Sequence, residues 1–301
     1  MQLSGFSDAK GRLALLKNKA RREGTHIKRL LRRREHVVVS LTSYPGRIRT
    51  VHRVIRSLFA QKVLPDLVVL YLSEEEFPHY EDDLPEELLS CRGHDFEIRW
   101  VSGNLGSHKK YFYAFSDFPQ SLIITVDDDI ECRNTLVGEL LELHHRFPHA
   151  VPAIRCHLIR FDESGHHLSY NDWTMEVGNR LPEACGVPSM RLFATSGAGV
   201  LFSPGSLPKE AFDGRAIMET CPRADDVWLK VMTAVAGWPT VSAPGWQGVI
   251  PIEGTQTTSL WSVNQLGGND EALLKVYDHC AKQLGIVDID ELLQDDNLAG
   301  L

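Results

Sequence analysis

Residues Leu122–Asp129 read LIITVDDD, an apolar run that leads directly into three acidic residues. Five consecutive apolar or β-branched residues are typical of a buried strand. Three carboxylates follow directly, and alternation along an extended chain would turn Asp127 and Asp129 to one side and Asp128 to the other. Neighbouring carboxylates repel each other unless a cation or strong donors compensate, so the run predicts a site for a hard divalent cation. The alternative is a set of capping residues for a helix that begins near Arg133, although one Asp would be enough for that.

Other short apolar runs alternate with helical patterns along the first half of the chain. The predicted strands are His36–Thr42, Asp66–Leu72, Phe96–Val101 and Leu122–Val126. The predicted helices are Thr50–Gln61, Pro85–Cys91, Ser107–Phe115 and Arg133–Phe147. This alternation predicts an α/β fold with a mostly parallel sheet flanked by helices. Such sheets bind ligands at the carboxyl ends of their strands, which here are residues 42–47, 73–75, 102–110 and 127–129.

The second half of the chain has a less regular pattern, with more Gly, Pro and Trp. Ala150–Cys156 and Gly199–Ser203 read as strands, and Ala224–Ala236 and Asp270–Gly285 read as helices. We expect this half to complete the same sheet and to form a substrate-binding face, so that residues 36–130 and 131–285 are halves of one domain. Residues 286–301 read as a polar C-terminal tail.

The composition is that of a soluble globular protein, with 43% hydrophobic and 24% charged residues. This balance excludes wholesale disorder. No uncharged apolar run approaches the ~18 residues of a membrane-spanning helix, and we expect a chain that is not exported by a signal peptide. The six cysteines form no C-x-x-C unit, which favours free thiols over a zinc site and indicates a reducing, cytoplasmic location.

The net charge of -8 conceals a strong asymmetry. Residues 1–35 carry 11 of the 32 basic side chains and 3 of the 40 acidic ones, which leaves 21 basic and 37 acidic side chains for the rest. The acidic body argues against nucleic acid as a partner. The basic segment has the apolar spacing of an amphipathic helix. It is either a solvated arm or an interfacial helix that binds anionic lipid at the cytoplasmic face of the cell membrane.

An ordered set of motifs resembles a known family. IITVDDDI resembles the D-x-D signature of nucleotide-sugar glycosyltransferases with the GT-A fold, a Rossmann-like architecture. In chain order, four further resembling segments are VSLTSYPGRI, LVVLYLSEEEFP, KKYFYAF, and SGAGVLFSP followed by ADDVWL. The D-x-D alone is a weak signal, whereas the order and spacing of the set, which cover about residues 36–285, are specific. The set looks most like bacterial enzymes that build capsule or other surface polysaccharides.

The resemblance implies roles on the side of the nucleotide-sugar donor, for which a UDP-sugar is favoured. Asp127 would contact the ribose or sugar, and Asp127 and Asp129 would hold Mn²⁺ or Mg²⁺ at the diphosphate with help from Asp128. The other residues implied to bind the nucleotide, its phosphates or the sugar are Thr42, Ser43, Tyr44, Arg47, Ser73, Lys109 and Lys110. For the two lysines, a solvated helix face is the competing interpretation. The family often adds a late histidine as a metal ligand, for which only His279 is available after residue 167.

The same resemblance assigns catalysis to Asp225 and Asp226 at the start of a helix. Asp226 would deprotonate the acceptor hydroxyl of a glycan or lipid-linked saccharide, and Asp225 would orient acceptor or donor. The competing interpretation is that both carboxylates complement the helix dipole. A single base in an in-line displacement inverts the anomeric configuration. The segment 196–199 (SGAG) is interpreted either as a close approach to the sugars or as a turn into a strand.

Two alternatives to an inverting transferase remain open: a retaining transferase on the same fold, and a non-catalytic scaffold that binds glycan or membrane. A sugar nucleotidylyltransferase would need a Gly-rich basic loop after the first strand, where this chain has TSYPGRI. The tryptophans considered for stacking on sugar rings are Trp173, Trp228, Trp246 and Trp261, and the helical pattern around Trp228 favours a core position.

Overall fold

A computed structural model describes residues 35–93, 95–245, 248–255, 268–298 and 301 of the chain. The predicted amphipathic arm, apart from Glu35, therefore lies outside the described residues, as do Trp246 and Trp261. Among the described residues, no helix combines the length and the apolar character that crossing a membrane requires.

Four parallel strands form one side of the central sheet. They are β1 (Val37–Thr42), β2 (Leu67–Ser73), β3 (Phe96–Val101) and β4 (Leu122–Thr125). The crossover helices are α1 (Val51–Phe59), the short α2 (Glu86–Leu89) and α3 (Lys109–Asp117). The spatial order is β3-β2-β1-β4, so the chain reverses its direction of winding between β1 and β4. Parallel α/β sheets bind ligands at such a switch point.

The second half of the chain extends the same sheet beyond β4, as expected. Its strands β6 (Val151–Ala153), β9 (Val200–Phe202) and β10 (Thr240–Ser242) complete seven strands in the order β10-β6-β9-β4-β1-β2-β3. β9 is antiparallel to β4, with Thr125 opposite Val200. The chain therefore enters β9 at the edge of the sheet where β4 ends, and this brings residues 195–199 close to Asp127. Val37–Leu301 form one compact unit.

The remaining elements cover or flank this sheet. Two small antiparallel pairs are β5 (Ile130–Glu131) with β11 (Ile250–Pro251), and β7 (Cys156–Leu158) with β8 (Leu192–Ala194). The remaining helices are α4 (Leu136–Arg146), α5 (Val177–Arg180), α6 (Gly214–Thr220), α7 (Asp225–Val235), α8 (Asn269–His279) and α9 (Ile289–Leu292).

The apolar runs of the strands are buried because helices cover both faces of the sheet. In β1, Val37, Val39 and Leu41 belong to one buried cluster and Val38 to another. Each such side chain contributes about 1.5–3 kcal/mol when it is fully buried. This burial explains why the strands read as continuous apolar runs.

Several predicted boundaries are wrong. The single strand expected over Ala150–Cys156 is two strands, β6 and β7, which belong to different sheets. β4 ends at Thr125, and α4 begins at Leu136, three residues after Arg133. The predicted helix Asp270–Gly285, by contrast, is confirmed to within one residue at each end. It consists of α8 and a π-helix over Cys280–Leu284, and it ends where Gly285 adopts the left-handed conformation (φ 70°).

The described residues of the predicted polar tail (286–298 and 301) contain more structure than a tail suggests. α9 lies in this segment, and Leu293 and Leu298 are buried. Asp295 accepts hydrogen bonds from Ser189 Oγ (2.9 Å) and Met190 N (2.5 Å). The segment therefore packs on the body of the protein. All six cysteines are free, as the sequence predicts.

Candidate active site

The candidate site lies at the switch point, where the carboxyl ends of β1 and β4 are neighbours. The loop after β1 turns at once, because the N–H groups of Arg47 and Ile48 both donate to the carbonyl of Tyr44 (2.9 and 3.0 Å). This turn directs the Arg47 side chain back to the end of β4. There Nη1 lies 2.9 Å from Asp128 Oδ1 and 3.0 Å from Asp129 Oδ2.

Asp128 joins the end of β4 to the loop after β1. Its Oδ2 accepts a hydrogen bond from Ser43 Oγ (2.5 Å), and its Oδ1 accepts one from Arg47. Burial raises the pKa of Asp128, and Arg47 and Ser43 oppose that effect. Asp128 and Asp129 share Arg47, so the strict alternation expected along the triplet does not hold. The reason is that β4 ends before the triplet and the chain turns there.

Lys110 connects the triplet to the second aspartate pair. Its Nζ donates to Asp127 Oδ1 (2.5 Å) and Ser196 Oγ (2.7 Å), and it lies 2.8 Å from Asp225 Oδ2. Burial alone would lower the pKa of Lys110, but Asp127 and Asp225 outweigh burial and hold it above the ordinary value. The lysine is therefore a buried cation between two carboxylates, and the interpretation as a solvated helix face is wrong.

Asp225 and Asp226 have different surroundings, although they are adjacent in the first turn of α7. Burial alone would raise the pKa of Asp225, but Lys110 and His108 outweigh it and hold the pKa below the ordinary range. Burial and the charge of Asp225 raise the pKa of Asp226 to about 7. Asp226 is half-buried, and its Oδ1 accepts a hydrogen bond from the N–H of Ser196 (2.8 Å). One carboxylate of the pair is thus kept ionised, and the other can exchange a proton near neutral pH.

Neither aspartate group caps a helix through its side chains. The residue before α4 is Thr135 and the one before α7 is Ala224, and neither of these two residues makes a side-chain capping bond. At the start of α4, the N–H of Val137 donates to Gln61 Oε1 (3.2 Å), not to an aspartate of the triplet. The capping interpretation of the Asp127–Asp129 triplet is therefore wrong. The Asp225–Asp226 pair does lie in a first turn, where it complements the helix dipole in addition to its contacts with Lys110 and Ser196.

The balance of charge at the site fits a divalent cation. Five carboxylates meet there, and among the described residues Arg47 pairs with Asp128 and Asp129, and Lys110 pairs with Asp127 and Asp225. Burial and the neighbouring Asp127 raise the pKa of Asp129 to about 6 despite Arg47. Among the described residues, no three His, Cys, Asp or Glu side chains form a ready-made metal site. If the site holds such a cation, Asp127, whose side chain is 36% exposed, and Asp129 would supply two ligands, and substrate oxygens and water would complete the shell.

The loop between β8 and β9 approaches Asp127 so closely that a side chain at residue 197 would displace the Asp127 carboxylate. A Cβ at this position would lie 2.6 Å from Asp127 Oδ2. Gly199 has a φ of 112°, a conformation that residues with a side chain rarely adopt. The small residues of SGAG thus serve both suggested purposes: a close approach, here to a carboxylate, and a turn into β9.

Three further residues that were predicted to bind the donor, Thr42, Ser73 and Tyr44, lie at this edge of the sheet. The hydroxyls of Thr42 and Ser73 donate to backbone carbonyls and not to the carboxylates of the site. Thr42 Oγ1 donates to the carbonyl of Tyr71 (2.8 Å), and Ser73 Oγ donates to that of Gly103 (2.9 Å). Tyr44 lies beside Arg47, whose guanidinium is 5.7 Å from the centre of its ring.

Lys109 does not share the contacts of Lys110. Its Nζ bonds to Glu76 Oε2 (2.6 Å) and Asn104 Oδ1 (3.1 Å). Both lysines are 1% exposed, so the solvated-face interpretation fails for Lys109 as well.

Two of the aromatic expectations are settled by burial. Trp173 is 4% exposed and its indole donates to the carbonyl of Leu168, so the suggested stacking on a sugar is wrong for this residue. Trp228 is fully buried, as its helical position predicts. His279 lies against the ring of Trp228 and belongs to no metal-binding group among the described residues.

The sequence patterns assign no role to His108. This side chain is fully buried between Cys221 O (2.7 Å from Nε2) and Tyr111 OH (3.1 Å from Nδ1). Its position directly before the Lys109–Lys110 pair is the only signal in the sequence, and that signal is weak.

Comparison with known proteins supports the fold. No protein-family model and no curated protein matches the chain. Among solved structures, the mannosyltransferase PcManGT of Pyrobaculum calidifontis, in complex with GDP-Man and Mn²⁺, is similar at 10% identity and a TM-score of 0.51, covering 87% of this chain and 69% of that one. A 4-diphosphocytidyl-2C-methyl-D-erythritol synthase of Anaerococcus prevotii matches at 11% identity and a TM-score of 0.45, covering 78% and 95%. At such identities the likeness to the mannosyltransferase concerns the fold alone, and it confirms the predicted α/β, Rossmann-like fold of GT-A type.

Proposed function

We propose that the protein is a metal-dependent glycosyltransferase that moves a sugar from a nucleoside-diphosphate donor to a hydroxyl of a glycan or lipid-linked saccharide. The observation that carries the proposal is the meeting of two acidic groups, Asp127–Asp129 and Asp225–Asp226, around Lys110 at the switch point of the sheet. One group suits a diphosphate with its cation, and the other suits an acceptor hydroxyl.

On the donor side, Asp127 and Asp129 would hold Mn²⁺ or Mg²⁺. When bound, the cation would neutralise charge that develops on the leaving nucleoside diphosphate. Ser43 and Arg47 hold Asp128 in place, and Arg47 also contacts Asp129, so the chain's own residues fix the orientation of the triplet before the donor arrives. A UDP-sugar is the favoured donor on the basis of the sequence resemblance.

On the acceptor side, Asp226 is the general base. The acceptor oxygen forms a bond to the anomeric carbon, its proton passes to Asp226, and the bond from that carbon to the diphosphate breaks with both electrons leaving on the diphosphate. A base is most effective when its pKa lies near the working pH, and the pKa of Asp226 is about 7. Attack from the face opposite the leaving group inverts the configuration, and a retaining outcome is the alternative that product analysis would reveal.

We further propose that the enzyme acts in surface-polysaccharide synthesis at the cytoplasmic face of the cell membrane. The support is the resemblance of the motif set to bacterial capsule enzymes and the eleven basic side chains of residues 1–35.

The experiment that tests the function is a panel of nucleoside diphosphates and nucleotide sugars, measured by calorimetry and thermal shift with and without Mn²⁺. We expect one nucleotide to raise the melting temperature, and the rise to be larger with Mn²⁺, because a ligand stabilises the state that binds it. A panel in which no nucleotide binds under either condition would refute the proposal. Donor binding without transfer to any saccharide would favour the non-catalytic scaffold.

A further inference from the structure

Lys110 lies where the two halves of the candidate site meet. Its ammonium contacts Asp127 after β4, Ser196 in the loop before β9, and Asp225 in the first turn of α7, at 2.5, 2.7 and 2.8 Å. These three segments are distant in the sequence. One buried cation therefore links the donor carboxylate, the loop and the acceptor pair.

These contacts leave Lys110 without a donor for a phosphate. A lysine ammonium has three N–H donors, and each of them has a partner here. The side chain is only 2% exposed, so an incoming diphosphate would have to displace Asp127 or Asp225 to reach it. The expectation that this lysine approaches the phosphates does not agree with this geometry.

We propose that Lys110 is a positioning residue, which holds Asp127 in place for the cation and Asp225 beside the base, and which does not bind the phosphates. This inference rests on the proposed function and assigns a different role to one residue of that site. Without the ammonium, Asp127 and Asp225 lose their shared counter-ion and repel each other. Ser196 Oγ loses the N–H that Lys110 donates to it and keeps its own hydrogen bond to Asp225 Oδ2 (3.0 Å), and the same residue donates its N–H to Asp226.

The test is the affinity of Lys110→Met for UDP and GDP, measured by calorimetry in EDTA and in Mn²⁺. A lysine that touches phosphate contributes to nucleotide affinity in both conditions. A lysine that acts through Asp127 contributes only when the cation is present. We therefore expect the nucleotide affinity of Lys110→Met in EDTA to equal that of the wild type. The increase in nucleotide affinity that Mn²⁺ produces, the Mn²⁺-dependent gain, should be smaller by about 10–100-fold, which is the range for residues that orient metal ligands.

Lys230→Met is the matched control. Lys230 is also a buried lysine, but its ammonium donates to the carbonyl of Met190 (2.6 Å), outside the group of five carboxylates. The control makes the same chemical change, and we expect it to lower the melting temperature while keeping the Mn²⁺-dependent gain. A purely structural role for Lys110 would make the two variants behave alike.

If Lys110→Met does not fold, the double variant K110M/D225N removes one charge of each sign and keeps the balance at the site. Asp127 still lacks its ammonium in this variant, so the Mn²⁺-dependent gain should still be lost. A full gain in either variant, or an equal loss of affinity in EDTA and in Mn²⁺, would overturn the assignment. Wild-type protein that binds no nucleotide in either condition would instead refute the proposed function, so the two failures are distinct.

Discussion

At the residue scale, Asp226 changes its protonation state near neutral pH, whereas its neighbour Asp225 stays ionised there. Burial and the charge of Asp225 raise the pKa of Asp226 to about 7, so the carboxyl is protonated below this pH and ionised above it. Because a base must be ionised, we expect kcat/KM to rise between pH 5 and pH 8 with a midpoint near 7. Asp226→Asn should lower kcat by about 10²–10⁴-fold and preserve donor affinity. Near-normal turnover of this variant would remove the assignment of the base.

Asp226 should also make the stability of the protein depend on pH, which can be measured without a substrate. The folded-state pKa of Asp226 lies above the ordinary value of 3.8, so folding favours the protonated form. The contribution of the protonated Asp226 to the free energy of unfolding is fully present below pH ~4 and is lost as the pH rises through about 7. Asp226→Asn stays neutral and keeps an oxygen for the N–H of Ser196. We therefore expect it to raise the melting temperature relative to wild type at pH 8 and not at pH 4. An equal difference at both pH values would contradict the assigned titration.

At the element scale, the loop between β8 and β9 packs against the Asp127 carboxylate through Gly197. Gly197→Ala would place a methyl group 2.6 Å from Asp127 Oδ2, and the carboxylate would have to move. We expect this variant to lose most of the Mn²⁺-dependent nucleotide affinity in calorimetry. Gly93→Ala is the control, because a Cβ there meets nothing within 4 Å and its φ is not positive. Unchanged Mn²⁺ dependence in Gly197→Ala would show that the position of Asp127 is not critical.

The C-terminal segment is a second element whose contribution can be measured. Asp295→Ala leaves Met190 N and Ser189 Oγ without their acceptor, which should reduce the free energy of unfolding by about 1–3 kcal/mol in urea denaturation. Asp296→Ala is the neighbouring control, since Asp296 is exposed. Equal stability of the two variants would mean that the segment adds little to the body of the protein.

At the scale of the whole molecule, the division of charge predicts where the protein binds. Residues 1–35 carry a net charge of eight positive units, because eleven basic side chains stand against three acidic ones. Deletion of residues 1–35 should therefore abolish sedimentation with anionic liposomes, and zwitterionic liposomes should bind neither form. Added salt should weaken the binding of the full chain. If the truncated protein sedimented as the full chain does, residues 1–35 would not be the segment that binds anionic lipid.

Local patterns of the amino-acid sequence are enough to predict the strands β1 to β4 and to place Asp127–Asp129 at a ligand-binding edge. Apolar runs and helical spacing are local patterns that predict where each strand ends. Because parallel α/β sheets bind ligands at the carboxyl ends of their strands, these patterns also predict where the site lies. The Asp225–Asp226 pair was likewise found from its own segment, although its role rests on a resemblance. Local patterns could not divide Ala150–Cys156 between two sheets, because pairing partners decide which strand a residue joins.

The distribution of charge at the site depends on contacts between segments that are distant in the sequence, and it therefore requires the folded structure. Lys110 meets Ser196 across 86 positions of sequence, and Arg47 meets Asp128 across 81. Adjacent residues of the same type received different surroundings: Lys109 contacts Glu76 and Lys110 contacts Asp127, and one carboxyl of the Asp225–Asp226 pair is held ionised. The pKa of a side chain depends on burial and on the charges within a few ångströms, and folding brings those charges together from distant segments.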